Sequence, residues 1–94
     1  MTFEWDSDKE KLNIEKHNGI TFKMASKVFY DSHAVIKYDA LHSSLDEDRW
    51  NVIGMVEDVL FVVFTERGKD CIRIISARLA EQEEINEYYR NYDT

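Results

Sequence analysis

Ninety-four residues with 44% hydrophobic and 13% aromatic content make a single globular domain, 1–94, with one core and no need of disulfides. A formal net charge of −7 argues against a protein that coats nucleic acid generally, although a local basic patch can still dock a phosphate chain. The single cysteine, Cys71, excludes an internal disulfide and reads as a buried, inert thiol. Met1 is followed by polar and charged residues, and no apolar run approaches the ~18 residues of a spanning helix. The expectation is a soluble cytoplasmic protein with no membrane association.

The chain opens with TFEWD, where Phe3 and Trp5 alternate with Glu4 as in a short strand. Asp6 and Ser7 offer helix N-caps, and Ser7 with Glu10 spells a capping box for a helix over 7–17. Leu12 and Ile14 give that helix little apolar area, so it reads as a surface helix. Asn18-Gly19 ends it with residues that tolerate a left-handed backbone. Thr21 caps a second helix over 22–30, whose Phe22, Ala25, Val28 and Phe29 form a core-facing stripe. Residues 34–38 read as a strand, 39–48 as a polar loop carrying His42, and 49–56 as another strand.

Two apolar runs, 59–66 and 69–78, then form a hairpin about Arg67-Gly68. Both are apolar on both faces near their middles, which marks central strands. A last helix over 81–92 places Ile85, Tyr88, Tyr89 and Tyr92 at i, i+3, i+4 and i+7, with an acidic first turn. The order β-α-α-β-β-β-β-α, with short connections between the later strands, implies an antiparallel meander. Two N-terminal helices and one C-terminal helix then make a two-layer α+β domain with one face of the sheet partly open.

Positive charge gathers only in the hairpin, where Arg67, Lys69, Arg73 and Arg78 stand against a single carboxylate, Asp70, between Arg67 and Arg78. Three histidines without an i, i+4 pair and one cysteine give no metal-ligand pattern, and three isolated glycines give no phosphate loop. Neither a metal nor a cofactor is expected. What remains is a set of cationic and proton-transferring side chains: Lys16, His17, Glu66, Arg67, Arg73 and Arg78. Arginine forks onto phosphate, and with a base and an acid it can support attack of a 2′-hydroxyl on its own phosphodiester. Salt-bridging of these arginines to neighbouring acids is the competing reading. Strand alternation puts Arg73 and Arg78, five positions apart, on opposite faces unless a bulge intervenes or Arg78 lies past the strand end; the latter is expected.

Ordered short motifs sharpen this reading. FEWD at 3–6, N-x-x-K-H from Asn13 to His17, and Gly19-Ile20-Thr21-Phe22 come first. Ala25, Val28-Phe29-x-Asp31 and Arg49-Trp50-x-x-Ile53-Gly54 follow. Val62-Val63-x-Thr65-Glu66-Arg67, Ile72 to Arg78, Ala80, Glu84 and Tyr88 complete the set. With these the chain resembles, over nearly its whole length, the BrnT family of type II toxin–antitoxin ribonuclease toxins. One departure is visible: the family has Lys-His-Gly, whereas here Asn18 stands before Gly19 and lengthens the turn by one residue.

The resemblance implies a RelE-like fold, metal-independent RNA cleavage that halts bacterial growth, and a BrnA-like ribbon-helix-helix antitoxin as partner. DNA contacts would come only through that antitoxin. It also implies that Arg67, Arg73 and Arg78 are phosphate-binding and transition-state cations, and that His17 or Glu66 transfers protons. Lys16, Lys69 and Tyr88 are the candidates for substrate binding. A non-catalytic relative that only binds an antitoxin-like partner stays open beside the ribonuclease.

Overall fold

The computed structural model describes residues 1–92; residues 93 and 94, which fall in the expected 1–94 domain, lie outside the described residues. Its elements are β1 (Thr2–Glu4), α1 (Ser7–Lys16), α2 (Phe22–Ser26) continued by a 3₁₀ turn (Lys27–Tyr30), β2 (Val35–Tyr38), β3 (Trp50–Val56), β4 (Asp58–Arg67), β5 (Cys71–Leu79) and α3 (Gln82–Tyr92). The expected α+β class and element order are found. The second helix tightens halfway into the 3₁₀ turn, and Glu57 (φ 64°) turns the chain between β3 and β4.

The sheet runs β1-β5-β4-β3-β2. β2 to β5 form the expected antiparallel meander. β1 joins β5 in parallel, so the sheet is mixed. The return from β1 through two helices makes that orientation available, whereas a tight turn allows only an antiparallel neighbour. Of the two apolar runs of the hairpin, β4 is the middle strand; β5 is an inner strand only over Cys71–Arg73, where β1 pairs with it. Its turn is Gly68–Lys69–Asp70, with Arg67 opposite Cys71 and Gly68 at φ 71°.

Local chemistry places the helices. Asp6 caps α1 by accepting from the N–H groups of Asp8 (2.8 Å) and Lys9 (3.1 Å). The expected Ser7–Glu10 capping box does not form. Glu10 instead accepts from the Phe22 N–H at 2.8 Å, at the start of α2. This contact is available because Asn18 (φ 55°) and Gly19 (φ 75°) fold the connection back.

Ile20, Phe22, Ala25 and Val28 pack on Val52, Leu60, Val62, Phe64, Ile74 and Ala77, which line one face of the sheet. Gly54 lets this layer approach: a Cβ there would stand 2.9 Å from the Val28 Cβ.

Ile53, Val59 and Tyr88 make a second, smaller core with Met55, Phe61 and Ile85. Val52 and Ile53 are adjacent on β3 but belong to different cores, so the two cores lie on opposite faces. α3 therefore covers part of the face left open in the two-layer expectation. Its aromatic stripe needs burial, and the first face is already filled. Tyr88, 2% exposed, donates its hydroxyl to Asp31 Oδ2 at 2.7 Å. The same oxygen accepts from the Met55 N–H at 2.8 Å. Burial, and then the neighbouring Asp31 carboxylate, push the Tyr88 hydroxyl above the ordinary phenol range. No helix among the described residues is long and apolar enough to cross a membrane.

Candidate active site

A bulge decides which arginines share a face. Val63 pairs with Ser76 and Phe64 with Ile74, so Ile75 is an extra residue on β5. One extra residue inverts the alternation. Ile74 before it and Ala77 after it both point into the main core. Arg73 and Arg78 consequently both point to the opposite, open face. Arg78 is not past the strand end, as expected from sequence, but inside β5 opposite Phe61. Arg73 stands opposite Thr65 and Arg78 opposite Phe61, four residues apart on β4, or about 13 Å along the strand.

At the Arg78 end the open face carries a cleft of about 370 Å³. Its floor is Asn51, Val63 and Ser76, which form one row across β3, β4 and β5. Its walls are His17, Asp39, His42, Arg78 and Glu84. His17 is there because α1 is fastened to the edge of β5. β1 ends opposite Arg73, leaving the backbone of Ala77 without a strand partner on that side. The buried Asn13 amide replaces the strand: it accepts from the Ala77 N–H at 3.0 Å and donates to the Ala77 carbonyl at 2.9 Å. It also donates to the Ile20 carbonyl at 3.1 Å. α1 is thus less of a surface helix than its composition suggested, and His17, its C-cap, is brought to the cleft.

Arg78 is held in a fork by Glu84, Nη1 to Oε1 at 2.8 Å and Nη2 to Oε2 at 2.9 Å, and lies 4.2 Å over the Phe61 ring. The Glu84 contacts raise the Arg78 guanidinium further above its ordinary value. Burial acts to raise Glu84, but hydrogen bonds from Arg78 and the Glu81 N–H outweigh it and hold the carboxyl below its usual range. Across the cleft, Asp39 is 6% exposed. Its Oδ2 lies 2.8 Å from His42 Nδ1, and its Oδ1 accepts from the His42 N–H at 3.1 Å. Burial acts against the charge of Asp39, yet His42 and a hydrogen bond from the Asn51 side chain keep its carboxyl below the usual range.

The hairpin end holds the other cations. Arg73 Nη1 meets Glu4 Oε2 at 2.6 Å, and Cys71 Sγ donates to Glu4 Oε1 at 3.2 Å. Cys71 is half-buried rather than enclosed. Arg67 reaches Glu47 at 3.4 Å, where Arg49 also binds at 2.8 Å. Lys69 sits exposed in the turn, and Lys16 is exposed at the end of α1.

Glu66 joins only Arg67 among them. It follows Phe64 by two residues, so it leans to the face of the helix layer, away from Arg73; at the sheet's end it lines a cavity of about 360 Å³ together with Arg67, Glu47, Trp50 and Thr65. Tyr88, expected to touch substrate, is part of the second core and engaged by Asp31. The fold therefore gathers His17 and Arg78, sets Arg67 and Arg73 on the same face nearer the turn, leaves Glu66 beside Arg67 but away from the His17 cleft, and places Tyr88 in the second core. Among the described residues no group of three or more His, Cys, Asp or Glu is placed to hold a metal ion.

Sequence reading passed over Glu4, Asp39, His42, Asn51 and Glu84 as site residues. Signals existed for three of them. Alternation in Phe3-Glu4-Trp5 puts Glu4 opposite the core. Asp39-x-x-His42 is the spacing of an aspartate that captures the N–H three residues on.

Comparison with known proteins bears on this arrangement. Among curated proteins there is no match. A crystal structure at 1.1 Å of the Brucella abortus ribonuclease toxin BrnT is similar with a TM-score of 0.64 and 28% identity, over 87% of this chain and 99% of that one. The family model described as the ribonuclease toxin BrnT of type II toxin–antitoxin systems matches residues 5–84, a stretch that takes in both α1 and the arginine hairpin. With that span matched and the fold shared, the chain belongs to the BrnT family of ribonuclease toxins.

Proposed function

We propose that this chain is a metal-independent endoribonuclease whose substrate lies along the open face of the sheet, and that a BrnA-like ribbon-helix-helix antitoxin neutralises it in the bacterial cytoplasm. The observation that carries the catalytic reading is the bulge at Ile75, which puts Arg73 and Arg78 on one face, with Arg78 in the cleft that His17 also lines. A phosphodiester attacked by its own 2′-hydroxyl needs a base, an acid and a cation on the developing phosphorane. Arg78 supplies planar, charged donors at the place where His17 can transfer a proton. Arg73, Arg67 and Lys69 extend the positive track toward the turn, and Lys16 adds charge beside His17. Membership of a type II toxin–antitoxin family supports an antitoxin partner, and a ribbon-helix-helix antitoxin would bring the DNA contacts to the complex.

One observation favours the second reading, a non-catalytic module that only binds an antitoxin-like partner. Arg67, Arg73 and Arg78 are all engaged by carboxylates, of Glu47, Glu4 and Glu84. The test is induction of the chain alone in bacteria, beside an Arg73→Ala/Arg78→Ala variant. Growth arrest that the double substitution relieves, and RNA cleavage by the purified chain that persists in EDTA, are expected. Unimpaired growth and intact RNA with soluble, folded protein would leave the binding module as the reading.

A further inference from the structure

We propose that His42 is the general base of this ribonuclease, that Asp39 is its positioning residue, and that His17 is the matching acid. The inference rests on the ribonuclease reading above and assigns the proton transfers within it.

His42 belongs to the stretch read from sequence as a polar loop, but this loop is closed at its base. The Asp39 N–H donates to the Arg49 carbonyl at 2.9 Å. The Ser43 hydroxyl donates to the Asp39 carbonyl at 2.7 Å and accepts from the Arg49 N–H at 2.8 Å. His42 therefore projects from a fixed turn. Its side chain is 47% exposed while that of Asp39 is 7% exposed: a buried carboxylate holds an accessible ring.

The contact fixes the tautomer. An ionised carboxylate only accepts, so the proton between Asp39 Oδ2 and His42 Nδ1 is on the nitrogen. The neutral ring then carries its lone pair on Nε2, the nitrogen left for substrate. The carboxylate also stabilises the imidazolium that forms when Nε2 takes a proton, as in other carboxylate–histidine arrangements.

A turn-capping aspartate needs only the bond to the N–H three residues on. Here the second oxygen is spent on the ring, and a third group, the Asn51 amide, is also directed at Asp39. Asn51 is 8% exposed, and its Oδ1 has no hydrogen-bond partner among the described residues. A buried orphan acceptor is costly, and an apolar residue on this β3 position would avoid that cost but lose the amide's hydrogen bond to Asp39.

His17 lines the same cleft as His42 and Arg78, and no carboxylate is paired with it among the described residues. The step then balances. His42 Nε2 takes the 2′-hydroxyl proton as O2′ bonds to phosphorus. The P–O5′ bond breaks, and its electron pair leaves with O5′, which takes a proton from His17. Arg78 faces the non-bridging oxygens. The products are a 2′,3′-cyclic phosphate and a 5′-hydroxyl, and the two imidazoles end with their protonation states exchanged.

The test uses the purified chain on a short single-stranded RNA, with folding checked by circular dichroism. His42→Gln is expected to lower kcat by about 10²–10⁴ at unchanged KM. His33→Gln, a ring stacked on Tyr92 away from the cleft, should cleave like the unaltered protein. Activity of His42→Gly should return in part with added imidazole, which a loop-structural role does not produce. Asp39→Asn should lose kcat and not KM. A substrate with sulfur in place of O5′, whose thiolate leaves without a proton, should restore His17→Gln but not His42→Gln. Cleavage by folded His42→Gln at the unaltered rate overturns the assignment while leaving the ribonuclease reading standing. Absence of cleavage by the unaltered chain removes both.

Discussion

At the cleft end of the open face, Arg78 is gripped by both oxygens of Glu84 and lies on the Phe61 ring. At the hairpin end, Arg73 holds Glu4 through one nitrogen, and Arg67 reaches Glu47 at 3.4 Å. The glutamates differ more than the arginines: the Glu84 side chain is 19% exposed and that of Glu4 43%. Solvent screens such pairs and leaves them weak, so a phosphate can displace Glu4 or Glu47 at little cost. A forked, half-buried, ring-stacked guanidinium is instead held in one geometry. The same residue type on one face thus suits two tasks: adjustable docking near the turn, and a fixed cation beside the histidines.

That division makes the largest expected effects kinetic. Arg78→Ala should lower kcat by about 10²–10³, the usual loss when one preorganised donor to a developing oxyanion is removed. Arg73→Ala and Arg67→Ala should instead weaken RNA binding and raise KM. Each should also flatten the slope of log affinity against log salt by about 0.7, the single-strand value per phosphate contact. Single-turnover rates and salt titrations of a labelled RNA separate the two outcomes. A kcat loss at Arg73 with only a KM change at Arg78 would reverse the roles of the two ends.

A smaller effect comes from loosening one end alone. Asn13→Ala removes three hydrogen bonds and leaves the Ala77 N–H and the Ala77 and Ile20 carbonyls without those partners. A loss of about 3 kcal/mol is expected, at the upper part of the range for buried unsatisfied groups. Asp6→Ala, at the other terminus of the same helix, removes an N-cap and should cost only about 1 kcal/mol. Urea unfolding measures both. If the two costs are equal, Asn13 is not what fastens α1 to β5, and the position of His17 needs another cause.

How much of this was legible in the sequence follows from which contacts are local. The α+β class, the meander and the two hairpin strands came from period-2 and helical patterning, which reports burial directly. The parallel pairing of Thr2–Glu4 with Cys71–Arg73 did not, because nothing in a three-residue strand names a partner so distant along the chain. Alternation stated the Arg73–Arg78 problem correctly, but the bulge at Ile75 leaves no composition signal among Ile74, Ile75 and Ser76. Glu10 fitted a local capping box, yet its carboxylate serves the Phe22 N–H twelve residues on. His17 and Arg78 were legible as chemistry. Asp39-x-x-His42 was legible as a local turn, but Asp39, His42 and Asn51 were not legible as a site, since a loop and a strand position come together only after β2 and β3 pair.

The smallest expected effect is the most direct check on the difference in exposure. Glu84 and Glu4 both have carboxyls held below their ordinary value of 4.5, Glu84 by Arg78 against the effect of burial and Glu4 by Cys71 and Arg73. A carboxyl depressed by folding adds stability that is present above its unfolded value and is lost as pH falls through the folded one. Stability should therefore decline as pH drops below 4.5, and each glutamate contributes to that slope. Glu84→Gln also removes the fork to Arg78, so its absolute stability falls at every pH; the informative quantity is the slope of the urea midpoint between neutral and acid pH. Glu84→Gln should flatten that slope visibly. Glu4→Gln should flatten it less, because solvent screens an exposed pair. Adding salt should shrink the Glu4 contribution further and leave that of Glu84 largely in place. Equal flattening by the two substitutions would mean that exposure is not what separates the two ends, and the division between docking and fixed cation would have to rest on the Phe61 stack alone.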